Sequence, residues 1–415
     1  MASTSIANIS NILKTLWPQD RVFNEVYPDH PFLMRLPKAT NFTGDSLYLA
    51  VRYGDGQGRS VSFSAAQAAA SAPKHARFNL TRSKNYQVYQ IDGEAIEAAR
   101  SDEGALVRTL DDEIRGSLNN ITKDLAVNVF RGKYGNIGAI NSAGPSAGPP
   151  ATITLSNAAD VTSFEAGMVL VAAAALGSGA NRSTPATATI TGVNRETGVL
   201  TFANGTFAGT NWAAADYLFA SGDRDSVAGT GNKALGLADW LPSTAPTAGD
   251  SFLGSSDRPN DTVRLAGLRM DISSDVPEEG MLRVAMELDR QGARPKDFIV
   301  NHTDYQSVLN SLGTKAVTKY EGVGNIGFQT IQLNGPKGPI SVYLDQDCPA
   351  GRGYCLDMRT WKFYSLGDAP RILDLDGLNM LRLASSDAYE GRIGYYGNLG
   401  CTAPGFNATV TMPSS

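Results

Sequence analysis

Between residues 93 and 131 the chain carries no proline, and apolar side chains recur at Ile96, Ala99, Leu106, Leu110, Ile114, Leu118, Ile121, Leu125 and Val129. Steps of three and four dominate, so the run predicts one α-helix with a single buried stripe. At 1.5 Å per residue it would reach about 55–60 Å, far beyond the usual three or four turns. Glu97, Arg100, Asp111, Asp112, Arg115, Lys123 and Asp124 fall on the opposite, charged face. The stripe keeps no strict heptad and has no second run to pair with, which disfavours a coiled coil. A long helix laid along one side of a sheet is expected, with Gly104 and Gly116 as the places where it bends.

Upstream, residues 1–44 hold the apolar anchors Trp17, Phe23, Tyr27, Phe32, Leu33 and Leu36, but Pro18, Pro28, Pro31 and Pro37 keep interrupting regular structure. Beyond a short amphipathic piece at 6–16, this reads as an extended arm that buries its anchors on the rest of the chain or on a neighbour. Period two takes over at 45–53, with Leu47, Leu49 and Val51 on one face, and again at 77–91, with Phe78, Leu80, Tyr86, Val88 and Ile91. Between them lie Gly54, Gly56 and Gly58, then Val61, Phe63 and an Ala/Ser-rich tract to Pro73. A long two-stranded hairpin with a flexible tip is expected over 45–92. An isolated hairpin is marginal in water, so this one is expected to lie on another molecule.

Downstream, the low-complexity run 141–150 marks a boundary. Strands are expected at 151–155, 168–172, 187–193, 199–202 and 217–220, with turn signals such as 195–198 and Asn204-Gly205 between them, which makes a small all-β module over 145–225. Residues 228–260 read as loose. A helix begins at Pro277, with Glu278 and Glu279 suiting its positive end, and runs to Gly292. A strand at 297–301 and a helix at 303–312, capped by Thr303 or Asp304, come next. A loose loop at 322–327 precedes strands at 328–333, 339–344, 353–357 and 362–364, and 381–412 reads as two strands about Asn398-Leu399-Gly400. Trp361, Phe363, Tyr364, Tyr395 and Tyr396 are expected in the core or between subunits. Short turns rather than helices join most strands, so the class is α+β with an antiparallel or mixed sheet.

Composition narrows the function. At 415 residues the chain exceeds what one core sustains, and two or three domains are expected. A formal net charge of −5 with no basic block argues against a sequence-reading nucleic-acid binder and leaves room only for weak, non-specific contact. Cys348, Cys355 and Cys401 are too scattered for a disulfide framework or a metal site and are expected as buried thiols. No signal peptide is visible at the start, and the longest small apolar run, 168–176, is too short to span a membrane. The loop at 54–58 sits between strands rather than before a helix, so it is a hairpin tip and not a phosphate cradle. The run 229–233 lacks the Gly-Lys-Ser/Thr of a Walker loop and reads as a linker. His30, His75 and His302 lie far apart, with His302 expected on the surface, and no Gly-x-Ser-x-Gly occurs. The paired acids Asp111-Asp112 and Glu278-Glu279 suit a solvated face and a helix start. No catalytic, cofactor-binding or metal residue can be nominated, and the chain is not expected to be an enzyme.

The order of arm, hairpin, long helix, β module and α+β body, with the closing stretch Tyr389-Glu-Gly-Arg-Ile-Gly-Tyr-Tyr-Gly-Asn-Leu-Gly-Cys-Thr-Ala-Pro-Gly, resembles the major capsid proteins of tailed bacteriophages, whose type member is the HK97 shell protein. The resemblance covers nearly the whole chain and rests on the order of parts rather than on one motif. It implies an HK97-like α+β fold: N-terminal arm (1–44), E-loop hairpin (45–92), and a peripheral domain built on a spine helix (93–135) and closed by strands at 376–415. It also implies an axial domain at 226–375, mostly 262–373 with 322–327 as its exposed loop, and an inserted all-β domain at 145–225. The implied function is self-assembly, as hexamers and pentamers, into an icosahedral head enclosing double-stranded DNA. The virion capsid would form in the bacterial host cytoplasm without cofactor or membrane. A portal protein, a separate scaffolding protein and a decoration protein are the implied partners. Gly54, Gly56, Gly58 and the Ala/Ser run would let one chain fit several shell positions, and a mildly acidic inner surface would keep DNA from sticking. The alternative is a β-rich surface or adhesin-like binding protein, against which the missing secretion signal counts.

Family members with a fused scaffold carry a long helical segment before the arm. Here only about forty residues precede the hairpin, so no large N-terminal removal is expected. The type member also joins a hairpin Lys to a peripheral-domain Asn, aided by a Glu in an apolar setting. Lys74, Lys84, Asn398 and Asn407 occupy those regions but match no motif, so cross-linking is not expected. Mass spectrometry of shells is expected to return all 415 residues, and boiling in detergent a single monomer band; a start well beyond Asp45, or a ladder, would overturn these expectations.

Overall fold

The computed structural model describes residues 30–94, 103–228, 231–312, 318–323, 326–374 and 380–413. The amphipathic piece at 6–16, Trp17, Phe23 and Tyr27 lie outside the described residues, as do 95–102 within the predicted long helix.

Proline at the first position starts α1 (Pro31–Arg35), which sinks Phe32 and Leu33 into the main core. β1 (Lys38–Ala39) follows. β2 (Ser46–Gly54) alternates as predicted, burying Leu49 and Val51 and exposing Tyr48, Ala50 and Arg52. The tip carries a short helix, α2 (Phe63–Ala68), none of whose residues is buried. β3 (Lys74–Thr81) returns antiparallel to β2 in register from Ser46–Thr81 to Gly54–Lys74. There the predicted hairpin is corrected. At Arg82 the chain leaves β2, and β4 (Ser83–Asp92) pairs instead with β20 (Ala388–Cys401) over ten residues. In β4 the buried alternates are Tyr89 and Ile91, while Tyr86 and Val88 are exposed.

The long helix is described as α3 (Glu103–Arg131), about 43 Å at 1.5 Å per residue. Ile114, Leu118, Ile121, Leu125 and Val129 are each no more than 2% exposed. They share one apolar cluster with Tyr89, Ile91, Ile393 and Tyr395 from β4 and β20, so the stripe does lie on a sheet. That sheet runs β1, β17 (Trp361–Ser365), β20, β18 (Arg371–Ile372), with β19 (Met380–Arg382) and β4 also on β20. β20 is one strand of 14 residues, not half of a pair turning at Asn398-Leu399-Gly400. The strand after it, β21 (Ala408–Thr411), belongs to another sheet.

β20 runs Gly391, Gly394, Gly397, Gly400, one glycine in three. A Cβ on Gly391 would stand 2.1 Å from Tyr89 Cζ, one on Gly394 3.2 Å from Tyr86 Cδ1, and ones on Gly397 and Gly400 2.7 Å from the rings of Phe363 and Tyr364. Gly391, Gly397 and Gly400 each seat an aromatic ring from a neighbouring strand, and Gly394 makes room first for the Asn85 carbonyl at 2.8 Å, close backbone approach being the use of glycine inside a strand.

After α3 comes a six-stranded sheet ordered β5 (Asn136–Ala139), β10 (Tyr217–Ala220), β7 (Val169–Ala173), β8 (Ala188–Asn194), β9 (Val199–Phe202), β6 (Ala151–Thr154). Its ends meet: Ile140 bridges Leu155, the Ser156 amide donates to the Ala139 carbonyl at 2.8 Å and the Asn141 amide to the Thr154 carbonyl at 3.0 Å. The sheet is a small closed barrel, which removes its edges. Ile137, Ile153, Leu170, Ile190, Leu200, Phe202 and Leu218 fill it, and Val127 of α3 joins that cluster. The 141–150 run lies inside this unit, between β5 and β6, rather than before it.

The third sheet orders β11 (Leu268–Asp271), β21, β16 (Arg352–Leu356), β12 (Asp297–Val300), β15 (Gly338–Leu344), β14 (Ile326–Gly335), β13 (Thr318–Val323). Parallel pairs β11–β21 and β12–β15 make it mixed. α5 (Pro277–Arg290) and α6 (His302–Leu312) cover it through Met281, Val284, Leu288, Val308 and Leu312. The expected loose loop at 322–327 is strand up to Val323 and from Ile326, with 324–325 outside the described residues.

Gly391→Ala forces the buried Tyr89 ring aside, and we expect the unassembled chain to lose about 1–3 kcal/mol in urea unfolding. In a Tyr89→Leu background, where the ring is gone, the same substitution should cost less than about 1 kcal/mol; equal costs in both backgrounds would refute the seating.

Candidate functional site

Within 228–260, expected to be loose, residues 234–258 supply the floor for the hairpin. Ala234, Leu235, Leu237, Trp240 and Leu241 are each no more than 3% exposed, with α4 (Leu237–Trp240) among them. Phe78 of β3 meets Trp240 at 5.5 Å and Phe252 at 5.8 Å, both edge-on, and Trp240 meets Phe252 at 5.1 Å. Buried Arg258 lies 3.7 Å over the Phe252 ring and donates to the Asp239 and Trp240 carbonyls at 2.8 and 2.7 Å. Burial pushes its guanidinium down to about 10, against the pull of Asp239. The hairpin base is thus fixed on its own chain. The tip is not: Val61 and Phe63 are 110% and 83% exposed. It keeps a shape through its own bonds, the Ser71 amide donating to the Gln57 carbonyl at 3.1 Å and the Gln57 amide to Ser71 Oγ at 3.2 Å.

A buried ion cluster holds the surrounding pieces together. Lys233 Nζ pairs with Asp124 of α3 and, at 2.8 Å, with Asp223 at the end of the barrel. The Lys233 side chain is only 6% exposed. The other Asp124 oxygen accepts from Asn85 Nδ2 of β4 at 2.5 Å. One ammonium therefore joins helix, sheet, barrel and the 231–241 segment. Burial opposes its charge, yet the two carboxylates outweigh burial and hold it above the usual lysine range. Burial pushes the Asp223 carboxyl up to about 6 despite Lys233. Next to it, Asp239 accepts from the Lys133 amide at 2.7 Å and the Gly236 amide at 3.0 Å, joining the end of α3 to the start of α4. Burial still pushes that carboxyl up.

A third fixed point lies at residues 30–42. His30 Nδ1 meets Asp347 Oδ2 at 2.6 Å. Arg35 Nη2 donates to Asp297 Oδ1 at 2.7 Å and its guanidinium lies 4.4 Å over the Tyr343 ring. β1 then runs parallel to β17. Here the anchors Phe32, Leu33 and Leu36 bury on the same chain.

No protein-family model and no curated protein matches the chain. Solved structures do, across nearly the whole length. The cyanophage A-1(L) capsid is 11% identical, covering 97% of this chain and 99% of that one, with a TM-score of 0.52. The capsid of the native GTA particle is 10% identical over 92% and 90%, at 0.44. The holo-SrpI encapsulin complex from Synechococcus elongatus PCC 7942 is 8% identical over 99% and 96%, at 0.43. The first of these carries the assignment. The chain has the HK97-type capsid fold.

Within this HK97-type fold the predicted polar residues do not converge. His75 and His302 are exposed, whereas His30 is buried. Asn398 and Asn407 are consumed in structure. Asn398 Oδ1 accepts from the Leu235 amide at 2.7 Å and its Nδ2 donates to the Thr81 carbonyl at 2.8 Å. Asn407 Oδ1 accepts from the Asp357 amide and from Trp361 Nε1, both at 2.9 Å. Lys74 and Lys84 stay exposed. The three cysteines are free and buried. Among the described residues no cluster of His, Cys, Asp or Glu could hold a metal ion, and no helix is long and apolar enough to cross a membrane. Of the charged face predicted for the helix, Asp124 is corrected: it is a buried-pair partner rather than a solvated charge. Lys233, predicted as linker, is corrected with it. The apolar run from Ala234 to Leu241 immediately after it was the signal that this segment is core.

Lys233→Met leaves two carboxylates facing each other without a cation, a loss expected at about 3–5 kcal/mol near neutral pH. The folded Asp223 value already lies above its unfolded one, so its proton favours the folded state below that range and the benefit fades as pH rises through about 6. Removing the ammonium strengthens that trend. The denaturation midpoint of the variant should therefore approach wild type as pH falls toward about 4.5; a gap that widens in acid would contradict this account.

Proposed function

We propose that the protein is the major capsid protein of a tailed bacteriophage, a subunit that assembles with its own copies into a closed icosahedral head around double-stranded DNA. The observation that carries this reading is a hairpin anchored at its base by Trp240, Phe252 and Arg258 while Val61 and Phe63 stand wholly exposed at its tip. A soluble monomer has no use for such a pair on a stalk, whereas a neighbouring copy would cover it. The capsid fold supports the same reading and counts against the adhesin-like alternative.

In this assignment residues up to 44 are the arm, the β2–β3 hairpin is the E-loop, α3 is the spine helix, and the sheet on β20 is the peripheral domain. The mixed sheet with α5 and α6 is the axial domain, and the barrel from β5 to β10 is an inserted domain. A separate scaffolding protein, a portal and a decoration protein are the expected partners. Contact with DNA would be non-specific, in keeping with a net charge of −5.

Electron microscopy of the chain expressed with its scaffold should show closed uniform shells, and mature particles should carry nuclease-resistant double-stranded DNA. A monomer that never assembles would sink the shell reading, and shells filled with protein cargo would sink the phage reading. Val61→Asp combined with Phe63→Asp should abolish assembly. Because both positions are exposed, the unassembled chain should lose no more than about 0.5 kcal/mol at each.

A further inference from the structure

We propose that residues 30–36 are fastened to the 345–348 loop by a clasp of His30, Asp345 and Asp347 that stays closed while Asp345 keeps its proton beside Asp347 and opens when that proton leaves. The geometry is that of a buried latch. The His30 and Asp347 side chains are 9% and 5% exposed and meet at 2.6 Å. Asp345, deeper still, accepts from the Phe32 amide at 3.2 Å through one oxygen and from the Asp347 amide at 3.0 Å through the other. One carboxylate pair thus holds both the side chain and the backbone of the arm segment. The Phe32 ring rests 5.3 Å from Phe130 at the end of α3.

The charges around the latch are unbalanced. From α6, Asp304 accepts from the Gly351 amide at 3.0 Å. Cys348 lies on the same loop, and Arg352 of β16 and Arg131 of α3 act on it from two sides. Arg131 is engaged by Asp160 at 2.5 Å. Two buried carboxyls, Asp345 and Asp347, therefore face one imidazole, while Asp304 acts on Cys348 of the same loop; the trio is neutral only with a proton on a carboxyl as well as on the ring. Burial first and Asp347 second push the Asp345 carboxyl up to about 7, and burial pushes Asp304 up to about 6. A carboxyl raised in the folded state stabilises it below the unfolded value, and that contribution disappears as pH climbs through the folded value. Losing the Asp345 proton sets two buried carboxylates against each other and loosens the clasp above neutrality. Arg35, bonded to Asp297 and stacked on Tyr343, marks the hinge. Lys38, whose amine burial pushes down to about 7, works in the opposite direction, so the segment to measure stops at residue 36.

The clasp is a property of the single chain and stands apart from the shell reading. Hydrogen–deuterium exchange of the unassembled full chain, corrected for intrinsic rates, should show protection of 30–36 falling about tenfold relative to β20 between about pH 6 and pH 8.5. His30→Gln should exchange at pH 6 as fast as wild type does at pH 8.5. Asp347→Asn, which removes the second charge, should stay protected throughout. A flat wild-type profile, or a His30→Gln chain as protected as wild type at pH 6, would overturn the proposal; should Asp347→Asn not fold, the His30→Gln comparison decides alone.

Discussion

The fold depends on how close other elements can come to β20. A strand of 14 residues bordered on both edges, with a long helix on one face, would ordinarily carry side chains that hold rings and neighbours at a distance. Glycines at 391, 394, 397 and 400 remove those side chains; the Tyr89, Phe363 and Tyr364 rings fill the positions at 391, 397 and 400, and the Asn85 carbonyl comes closest at 394. Glycine costs entropy and packs nothing. The Tyr89 and Phe363 rings return that loss as buried area, and the seated rings fix register, since a shift of one residue would set each against a side chain. The α3 stripe then has a defined surface to lie on, and the arm segment, through β1 and β17, is aligned by the same strand.

Regular structure explains the sheets but not the connections, and there the work falls to buried cations. Lys233 ties four pieces through two carboxylates, and Arg258 fixes α4 through its terminal carbonyls. Within the barrel, Arg224 donates to the carbonyls of Ala175, Leu176, Ser178 and Gly179, gathering a loop that has little apolar content of its own. Such pairs add little net stability over apolar residues of equal size, because desolvation offsets most of the attraction. Their value is directional. A guanidinium with five donors accepts only one arrangement of the carbonyls around it, which is what a glycine-rich connection lacks.

Much of this was legible in the sequence. The helix stripe, the barrel strands and both α5 and α6 follow from periodicity and from proline and acid placement, each a local signal. What failed was non-local. Phe78, Tyr86 and Ile91 look like one strand, and nothing in their spacing shows that Arg82 passes the chain from β2 to β20. β20 and β21 look like a hairpin because Asn398 and two flanking glycines resemble a turn, yet Gly397 and Gly400 serve ring seating. Lys233 sits in a run of glycine and polar residues, and its partners lie over a hundred positions upstream and about ten away; only the fold brings them together. His30 had no visible partner for the same reason, Asp347 being 317 residues distant.

The hairpin shows why stiffness and freedom have to be separated along one element. Its base is held by rings and a guanidinium, and its tip by a few backbone bonds and Ser71. A subunit of the proposed shell meets neighbours at slightly different angles, and a uniformly stiff hairpin would satisfy one of those settings while straining the others. A uniformly slack one would lose ordering entropy at every contact it made. Placing Val61 and Phe63 beyond the last aromatic contact sets the break between the two regimes at the glycines of 54–58. The glycines there bring no side chain to resist turning, while the Trp240 floor still fixes the direction in which the hairpin leaves the body.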